Sequence, residues 1–515
     1  MSAHMFAAID CGSYELECKI FELSRKNGIR EVDSVRQTID LGSDTYNTGK
    51  ISYDHVRQVE QCLIGFRRIM DNYGVENYRA YGTSAIREMM NASIVLSQWE
   101  RASGIHIDVL SNSEQRFLDY KSVASRGQNF NKVIDKGTAI VDIGGGSIQI
   151  SLFDQDRLVT TQNLKLGVLR LYEQIRRIDP RSSQFDRLVE ELVNAQLKTF
   201  DKLYLKEREI RNIIIVDDYI SMATRSRNLQ NDLMKEETGF VSAEDFYTFV
   251  ERFHSSDAQA IARYLGMPND NIGLLHISAV MMKAIAKTMK AEMLWAPGVC
   301  LCDGIAYEYA EAHGYLKLAH DFEQDIIACA DGIRRRYKGS KERADYLQKA
   351  CTKIFDTTKK VHGFGQRERL LLQISAILHD CGEFISMVDL PECSYSIIMA
   401  NEIIGLSHKE REIVANVVKY NHEPFEYYES QETVTDLSAN TWLVIAVLTS
   451  ILRVADGLDR SHSQKFSNMT ASLKEDRLLI GISGGEDITL EKGLFQNRAS
   501  FFEEVMGITP VIKVR

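Results

Sequence analysis

The sequence predicts an α/β protein made of two topologically similar halves, then a long helical region and a small α+β tail. Three observations carry that expectation. A short motif occurs twice, as Ile9-Asp10-Cys11-Gly12-Ser13 and as Val141-Asp142-Ile143-Gly144-Gly145-Gly146-Ser147. Each copy follows an apolar run and precedes an alternating one, Leu16, Cys18, Ile20 in the first and Ile148, Ile150, Leu152 in the second. Strand, Asp, Gly-rich turn and strand make a hairpin, and a repeated hairpin implies repeated topology. Beyond Gly314 the apolar spacing changes to helical periods with few strand signals.

In chain order, residues 1–125 hold the Asp10 hairpin, an amphipathic helix over 53–73 and a loop at Thr83. The polar stretch 126–137 reads as a linker within a second domain, 126–314, which carries the Asp142 hairpin, a helix over 186–205, a strand over 212–216 and helices up to 303–311. Residues 315–468 are expected to be helical and bear His362, His379-Asp380, Asp456 and Asp459. Residues 469–515 return to short alternating strands. A chain of 515 residues is too long for one core, so about two to four domains are expected.

Composition narrows the class. At 44% hydrophobic and 26% charged, the chain is ordinary for a soluble globular protein. No apolar run is expected to span a membrane and no leader is expected. Nine cysteines without a CxxC pair suit reduced thiols in a cytoplasmic protein. A net charge of −10 disfavours general nucleic-acid binding, so a polyanionic ligand needs a local basic strip. Arg67, Arg68, Arg79, Arg87, Lys165 and Arg170 are its candidates.

The paired hairpins suggest what that ligand is. A Gly-rich turn brings bare backbone N–H groups up to phosphate oxygens, because no side chain blocks the approach. An Asp at the strand end can hold Mg²⁺ directly or through water. Two such turns facing one another would clamp a phosphate chain.

Further segments add a resemblance. Gly82-Thr83-Ser84-Ala85-Ile86-Arg87-Glu88 with Asn91, Leu110-Ser111-Asn112-Ser113-Glu114-Gln115 and Leu166-Gly167-Val168-Leu169-Arg170-Leu171 resemble A-T-S-A-x-R-E-A-x-N, I-S-G-x-E-E and G-x-x-R-L. These are signatures of the exopolyphosphatase and guanosine pentaphosphate phosphohydrolase (Ppx/GppA) family. The resemblance implies two actin-like (ribonuclease H-like) ATPase-superfold domains, Mg²⁺, and a polyphosphate or phosphorylated guanosine nucleotide as ligand. It also implies metal ligation by Asp10 and Asp142, charge stabilisation by Arg87, and phosphate contacts from Gly12, Ser13, Thr83, Ser84, Gly144, Gly145, Gly146, Ser147, Gly167 and Arg170. His362-Gly363, His379-Asp380 and Asp456 are similar to the HD-like domain of the family's long form, which implies a homodimer and a possible second metal set. His422 lies near a further family histidine, shifted by one.

Departures from the pattern cluster at the cleft. Gln115 stands where the family's base, a Glu, is expected, Phe117 where it has Arg, Gln149 where the second hairpin ends in Glu, and Tyr14 where the first turn has Asn. Val216-Asp217-Asp218 replaces a Gly-rich segment. An amide orients water but cannot take its proton, and loss of a general base costs about 10²–10⁴ in rate. Glu114 is the candidate substitute base. Two readings therefore stand: a Mg²⁺-dependent phosphohydrolase, or a binding protein that keeps the clamp and has lost turnover. A sugar kinase of the same superfold fits fewer segments.

Overall fold

The computed structural model describes residues 4–134, 137–154, 157–178, 185–205, 208–216, 218–224, 226, 228–230, 239–255, 257–316, 320–430, 437–482 and 487–514. Asp217 lies outside them. The chain divides into two compact units, Met1–Asp321 and Phe322–Arg515.

The first unit contains two sheets of matching topology. One is built from β1 (His4–Cys11), β2 (Glu15–Ser24), β3 (Gly28–Thr38), β4 (Asn77–Gly82) and β5 (Asp108–Val109), in the order β3-β2-β1-β4-β5. The other uses β6 (Thr138–Ile143), β7 (Ile148–Asp154), β8 (Arg157–Leu164), β9 (Asn212–Val216), β10 (Phe240–Ser242) and β11 (Met293–Trp295), in the order β10-β11-β9-β6-β7-β8. In both, the first two pairings are antiparallel hairpins and the next two are parallel: β1–β2, β2–β3, β1–β4 and β4–β5 against β6–β7, β7–β8, β6–β9 and β9–β11. The duplicated topology expected from the repeated motif is present.

Alternation decides which face of the first sheet meets which layer. Ala7, Ile9, Cys11, Leu16, Cys18 and Ile20 pack on one core with helices α1 (Leu41–Thr48), α2 (Tyr53–Asn72), α3 (Ser84–Glu88) and α4 (Ala92–Ser103). Phe6, Ala8, Phe21 and Leu23 pack on the other face, against Leu110 and Leu118 and the helix Leu301–Ala312. Leu118 belongs to α5 (Asn112–Ala124). The expected linker at 126–137 instead contains α6 (Gln128–Ile134), whose Phe130, Val133 and Ile134 are buried. Phe130 packs 5.7 Å from the Tyr120 ring, so three apolar side chains outweigh a polar composition.

The second unit is helical from Phe322 to Gly457 and ends in a three-stranded sheet, β12 (Thr470–Lys474), β13 (Arg477–Ile482) and β14 (Thr509–Val514). The tail is α+β, as expected: the helix Thr489–Met506 connects β13 to β14, which pair in parallel and need a crossover. Two stretches, Asn271–Met289 and Ala439–Gly457, are long and apolar enough to cross a bilayer, where none was expected. They are 78% and 72% buried inside the molecule, as core helices are.

Candidate functional site

The two hairpins present their aspartates in the same register. Asp10 is the penultimate residue of β1 and faces Glu17 on β2, while Asp142 is the penultimate residue of β6 and faces Gln149 on β7. Each turn is closed by the same bond, Gly12 N–H to Glu15 O and Gly144 N–H to Ser147 O, both 3.0 Å.

The second turn has a distinctive backbone. The carbonyl of Gly144 accepts from Val168 N (3.0 Å), and that of Gly145 accepts from Leu169 N (3.0 Å) and Arg170 N (3.1 Å). The Gly146 carbonyl accepts from Arg170 Nε at 2.9 Å. These amides open helix α7 (Val168–Ile178), where helical N–H groups have no partner within the helix. The peptide plane is rigid, and trans among the described residues, so three carbonyls turned to α7 turn the N–H groups of Gly145, Gly146 and Ser147 away from it. Gly167 allows this packing: a Cβ there would fall inside contact distance of the Gly145 and Gly146 backbone.

The opposite wall is a cluster of hydroxyls. Ser13 Oγ lies 2.8 Å from Ser84 Oγ and 2.9 Å from the Tyr46 hydroxyl, and Tyr46 lies 2.9 Å from Ser84 Oγ. A Cβ on Gly145 would come 3.0 Å from Ser13 Cβ, and one on Gly146 would come 2.9 Å from Ser84 Oγ. The turns therefore meet closely, with only glycine possible on one side. Thr83 is fixed by its N–H to Cys11 O, 3.2 Å.

The charged side chains are mostly engaged. Arg170 bonds the Glu88 carboxylate at 2.7 and 2.8 Å and stacks over Tyr46 at 4.4 Å, so it and Gly167 brace the turn from behind. Arg87 donates to Leu110 O and Asn112 Oδ1. Arg67 pairs with Asp71 at 3.1 Å. Of the expected basic strip, these three are already held by neighbouring groups.

Helix α5 bears on both hairpins. Its Arg116, nine-tenths buried and more, donates from Nε to Gln149 Oε1 at 3.1 Å, and from Nη1 to Thr161 Oγ1. Sequence reasoning missed Arg116, although it sits one position before the Phe117 that replaces the family arginine. Glu114 is turned back on its own helix: its Oε2 accepts from Ser111 N (2.9 Å) while Ser111 Oγ accepts from Glu114 N (3.3 Å), a capping box. That bond directs the carboxylate at the helix start. Gln115 Oε1 is buried with no hydrogen-bond partner among the described residues.

Of the second candidate metal set, only His379 and Asp380 bring donors together, with His379 Nε2 3.7 Å from Asp380 Oδ2. His362 spends both ring nitrogens on backbone, Nε2 at 3.0 Å from Phe355 O and Nδ1 accepting from Phe364 N at 3.0 Å. His379 Nδ1 lies 2.9 Å from Ala376 O, Asp380 Oδ2 accepts from Ser340 N at 3.1 Å, and His422 Nε2 lies 3.0 Å from His379 O. Asp456 is wholly buried and is ringed by Arg343, Arg460 (2.8 Å) and Arg498 (2.9 Å). Burial pushes its carboxyl up, but Arg498, Arg343 and Arg460 outweigh that and hold it at about 2. Guanidinium groups fill the place a cation would take at Asp456, so His362 and Asp456 do not complete a metal site with His379 and Asp380.

Two sheets of duplicated topology, each with an Asp-Gly turn at the end of its first strand, define a protein of the two-domain actin-like class. The profile of the Ppx/GppA phosphatase family matches residues 20–313, and that of Ppx/GppA phosphatase domain III matches 327–496. The chain belongs to the Ppx/GppA phosphatase family. Among its relatives, the guanosine-5'-triphosphate,3'-diphosphate pyrophosphatase of Aliivibrio fischeri strain MJ11 is 22% identical over 499 residues, covering 93% of this chain and 92% of the relative. That of Photobacterium profundum is 19% identical over 494 residues, covering 92% and 91%. An exopolyphosphatase from Cytophaga hutchinsonii superimposes with a TM-score of 0.53 at 18% identity, over 60% of this chain and 98% of that one. An Aquifex aeolicus Ppx/GppA family member does so with a TM-score of 0.50 at 16% identity, over 62% and 100%. The actin-like two-domain fold expected of the first unit agrees with these likenesses.

Proposed function

We propose that this chain is a phosphohydrolase releasing terminal phosphate from inorganic polyphosphate or guanosine pentaphosphate, at the Asp10 and Asp142 hairpins of the first unit. The observation that carries the reading is the row of amides at Gly145, Gly146 and Ser147, set by three carbonyls bonded to the start of α7. Such a row binds anionic oxygens without a side chain. Membership in a phosphatase family, and the pyrophosphatase and exopolyphosphatase names of the relatives, support the same substrate class.

Mg²⁺ suits the donor set: two aspartates at matched strand ends and the buried, unpartnered Gln115 oxygen, which can accept from a water. When bound, it would neutralise charge on the transferring phosphoryl. In this reading Asp10 and Asp142 hold the ion, the glycine amides with Ser13, Ser84 and Thr83 hold phosphate oxygens, and Arg87 adds positive charge. Gln115 orients the attacking water and leaves its proton to solvent or substrate, which slows the reaction. The finer division at residues 125, 314 and 468, a cytoplasmic location and a homodimer belong to the same proposal.

The second reading, a regulatory protein that binds polyphosphate or an alarmone nucleotide, is favoured by one observation: the capping bond that occupies Glu114. Phosphate release from long-chain polyphosphate with Mg²⁺ separates the two. The hydrolase reading expects slow release by the native chain and about 10²-fold or more faster release by Gln115→Glu. Tight polyphosphate binding with no release by the native chain would establish the second reading instead. Glu114→Ala is expected to lower thermal stability by about 1 kcal/mol through the lost cap, with little further change in rate.

A further inference from the structure

We infer that Cys300, Cys302 and Glu17 form a buried site for one thiophilic divalent cation of the Zn²⁺ class, beside the Asp10 hairpin. The three residues offer two Sγ atoms and a carboxylate oxygen within 4.8 Å of one another. All three are buried.

The fold brings them together for identifiable reasons. Cys300 is the extended N-cap of the helix Leu301–Ala312, and Cys302 lies in its first turn. That helix is drawn close because Gly304 packs directly on Leu118 O of α5, where a Cβ would overlap the carbonyl. Cys302 Sγ then lies 3.5 Å from Ala8 O on β1, and the two thiols are near enough to hydrogen-bond one another. Glu17 enters from β2, as the cross-strand partner of Asp10. Among the described residues its side-chain contacts, from Arg36 Nε (2.9 Å) and Nη2 (2.8 Å) and Ser34 Oγ (3.1 Å), run to Oε1, so the second oxygen is the one a cation would use. Asp303 Oδ2 lies 3.4 Å from Cys300 Sγ and accepts from Cys300 N (2.8 Å) and Lys19 Nζ (3.2 Å), so a fourth ligand would be water.

Charge and ligand chemistry agree. Glu15, Glu17, Glu31 and Asp303 surround Arg36 and Lys19, four carboxylates against two cations. A cysteine thiol ordinarily carries its proton at neutral pH, and a metal binds the thiolate. On binding, two S–H bonds break, two metal–sulfur bonds form, and two protons leave to solvent. The divalent charge replaces the two lost protons, so the local charge does not change. Tetrahedral zinc with sulfur at about 2.3 Å and oxygen at about 2.0–2.2 Å sets its donors roughly 3.3–3.8 Å apart, which modest side-chain rotation reaches from here. Two sulfurs select Zn²⁺ and its analogues over Mg²⁺.

The test uses the reduced full-length chain and Co²⁺ as the probe, read by its thiolate-to-cobalt charge-transfer absorption, with zinc content of the chain purified without chelator as a second measurement. One equivalent of cobalt should give the band, or the purified chain should carry one zinc. Cys300→Ser with Cys302→Ser should abolish both, while Glu17→Gln keeps the band and weakens binding about 10–100-fold. Affinity should rise about 100-fold per pH unit, since two protons are displaced. Absence of both signals from the native chain overturns the site. So does a band that survives in the double serine variant, which would assign it to Cys11, Cys18 and Cys62 on the opposite face. Circular dichroism of each variant confirms folding, and single Cys300→Ala, expected to lose most of the band, replaces the double variant if that one does not fold.

Discussion

The two hairpins share a backbone and differ in what faces the aspartate. Across from Asp10 stands Glu17, held by Arg36 and Ser34; across from Asp142 stands Gln149, held by the buried Arg116. The first position keeps its negative charge and spends it on a neighbouring guanidinium. The second has given up the charge while its arginine remains, so the field beside Asp142 is more positive than a carboxylate would leave it. A more positive field suits a phosphate chain and weakens the hold on a cation. In the proposed site, that difference would favour holding a phosphate chain over cutting it.

The turns also differ in bracing, and this leads to the largest expected effect on binding. Gly167 stands behind the Gly145–Gly146 backbone with no room for a methyl group, whereas a Cβ on Gly12 would meet Glu15 O at 2.8 Å within its own turn. Gly167→Ala must push the second turn forward and disperse its amide row. Overpacking of about 1–3 kcal/mol corresponds to a loss of polyphosphate affinity of about 10–100-fold. Gly12→Ala should cost less, because its Cβ would meet one backbone atom at 2.8 Å where that of Gly167 would meet three at 2.4 Å. Fluorescence anisotropy with labelled polyphosphate measures both. A folded Gly167→Ala protein that binds like the native chain would remove the amide row from the site.

Much of this was legible in the sequence. The repeated Asp-Gly motif marks both hairpins, and period-2 alternation in Leu16, Cys18 and Ile20 assigns a face correctly. The helix over 53–73 ends within a residue of the expectation. What the sequence did not disclose are partnerships between distant residues. Nothing local tells that Arg116 reaches Gln149, that Gly167 backs Gly145, or that Arg343 and Arg498 from two distant helices join Arg460 around Asp456. Glu114 is instructive in the other direction. Ser111 followed three residues later by Glu114 is a capping-box pattern, so the sequence held the signal that the carboxylate is committed to the helix start. The helix Thr489–Met506 was legible too, since Phe495, Ala499, Phe502 and Met506 recur at helical spacing within the expected α+β tail.

The replacement of a cation by guanidinium recurs in the second unit, where it sets acid stability. The Asp456 carboxyl is held at about 2 against an unfolded value near 3.9, so it contributes stability that is fully present above about pH 4 and is lost as pH falls toward 2, on the order of 2 kcal/mol. His379 acts at higher pH. Burial lowers it, with Asp380 and Asp456 opposing and Arg343 and His422 reinforcing, so the unfolded chain takes up a proton near pH 6.5 that the folded chain refuses. That contribution is present above pH 6.5 and declines as pH falls below it. Denaturant unfolding should therefore show the second unit weakening on acidification from 6.5, and His379→Gln should flatten the upper part of that slope. A slope unchanged in His379→Gln would mean that its imidazole is not what the fold keeps neutral.

The smallest expected effect addresses the hairpins directly. Gln149→Glu makes the second resemble the first, placing a carboxylate across from Asp142 and against Arg116. A charge-assisted bond is roughly twice as strong as one to a neutral amide, a gain of about 1 kcal/mol. Part of that offsets the cost of burying the new charge, so the melting temperature should move little. The change should appear instead in the field at Asp142: half-saturating Mg²⁺ for phosphate release should fall about fivefold, and polyphosphate affinity should fall by a similar factor as the positive field is cancelled. Opposite shifts in metal and anion affinity from one substitution are the signature of a charge balance set at Gln149. If both affinities stay as they were, the amide at 149 is a packing substitution and the contrast between the hairpins has no bearing on catalysis.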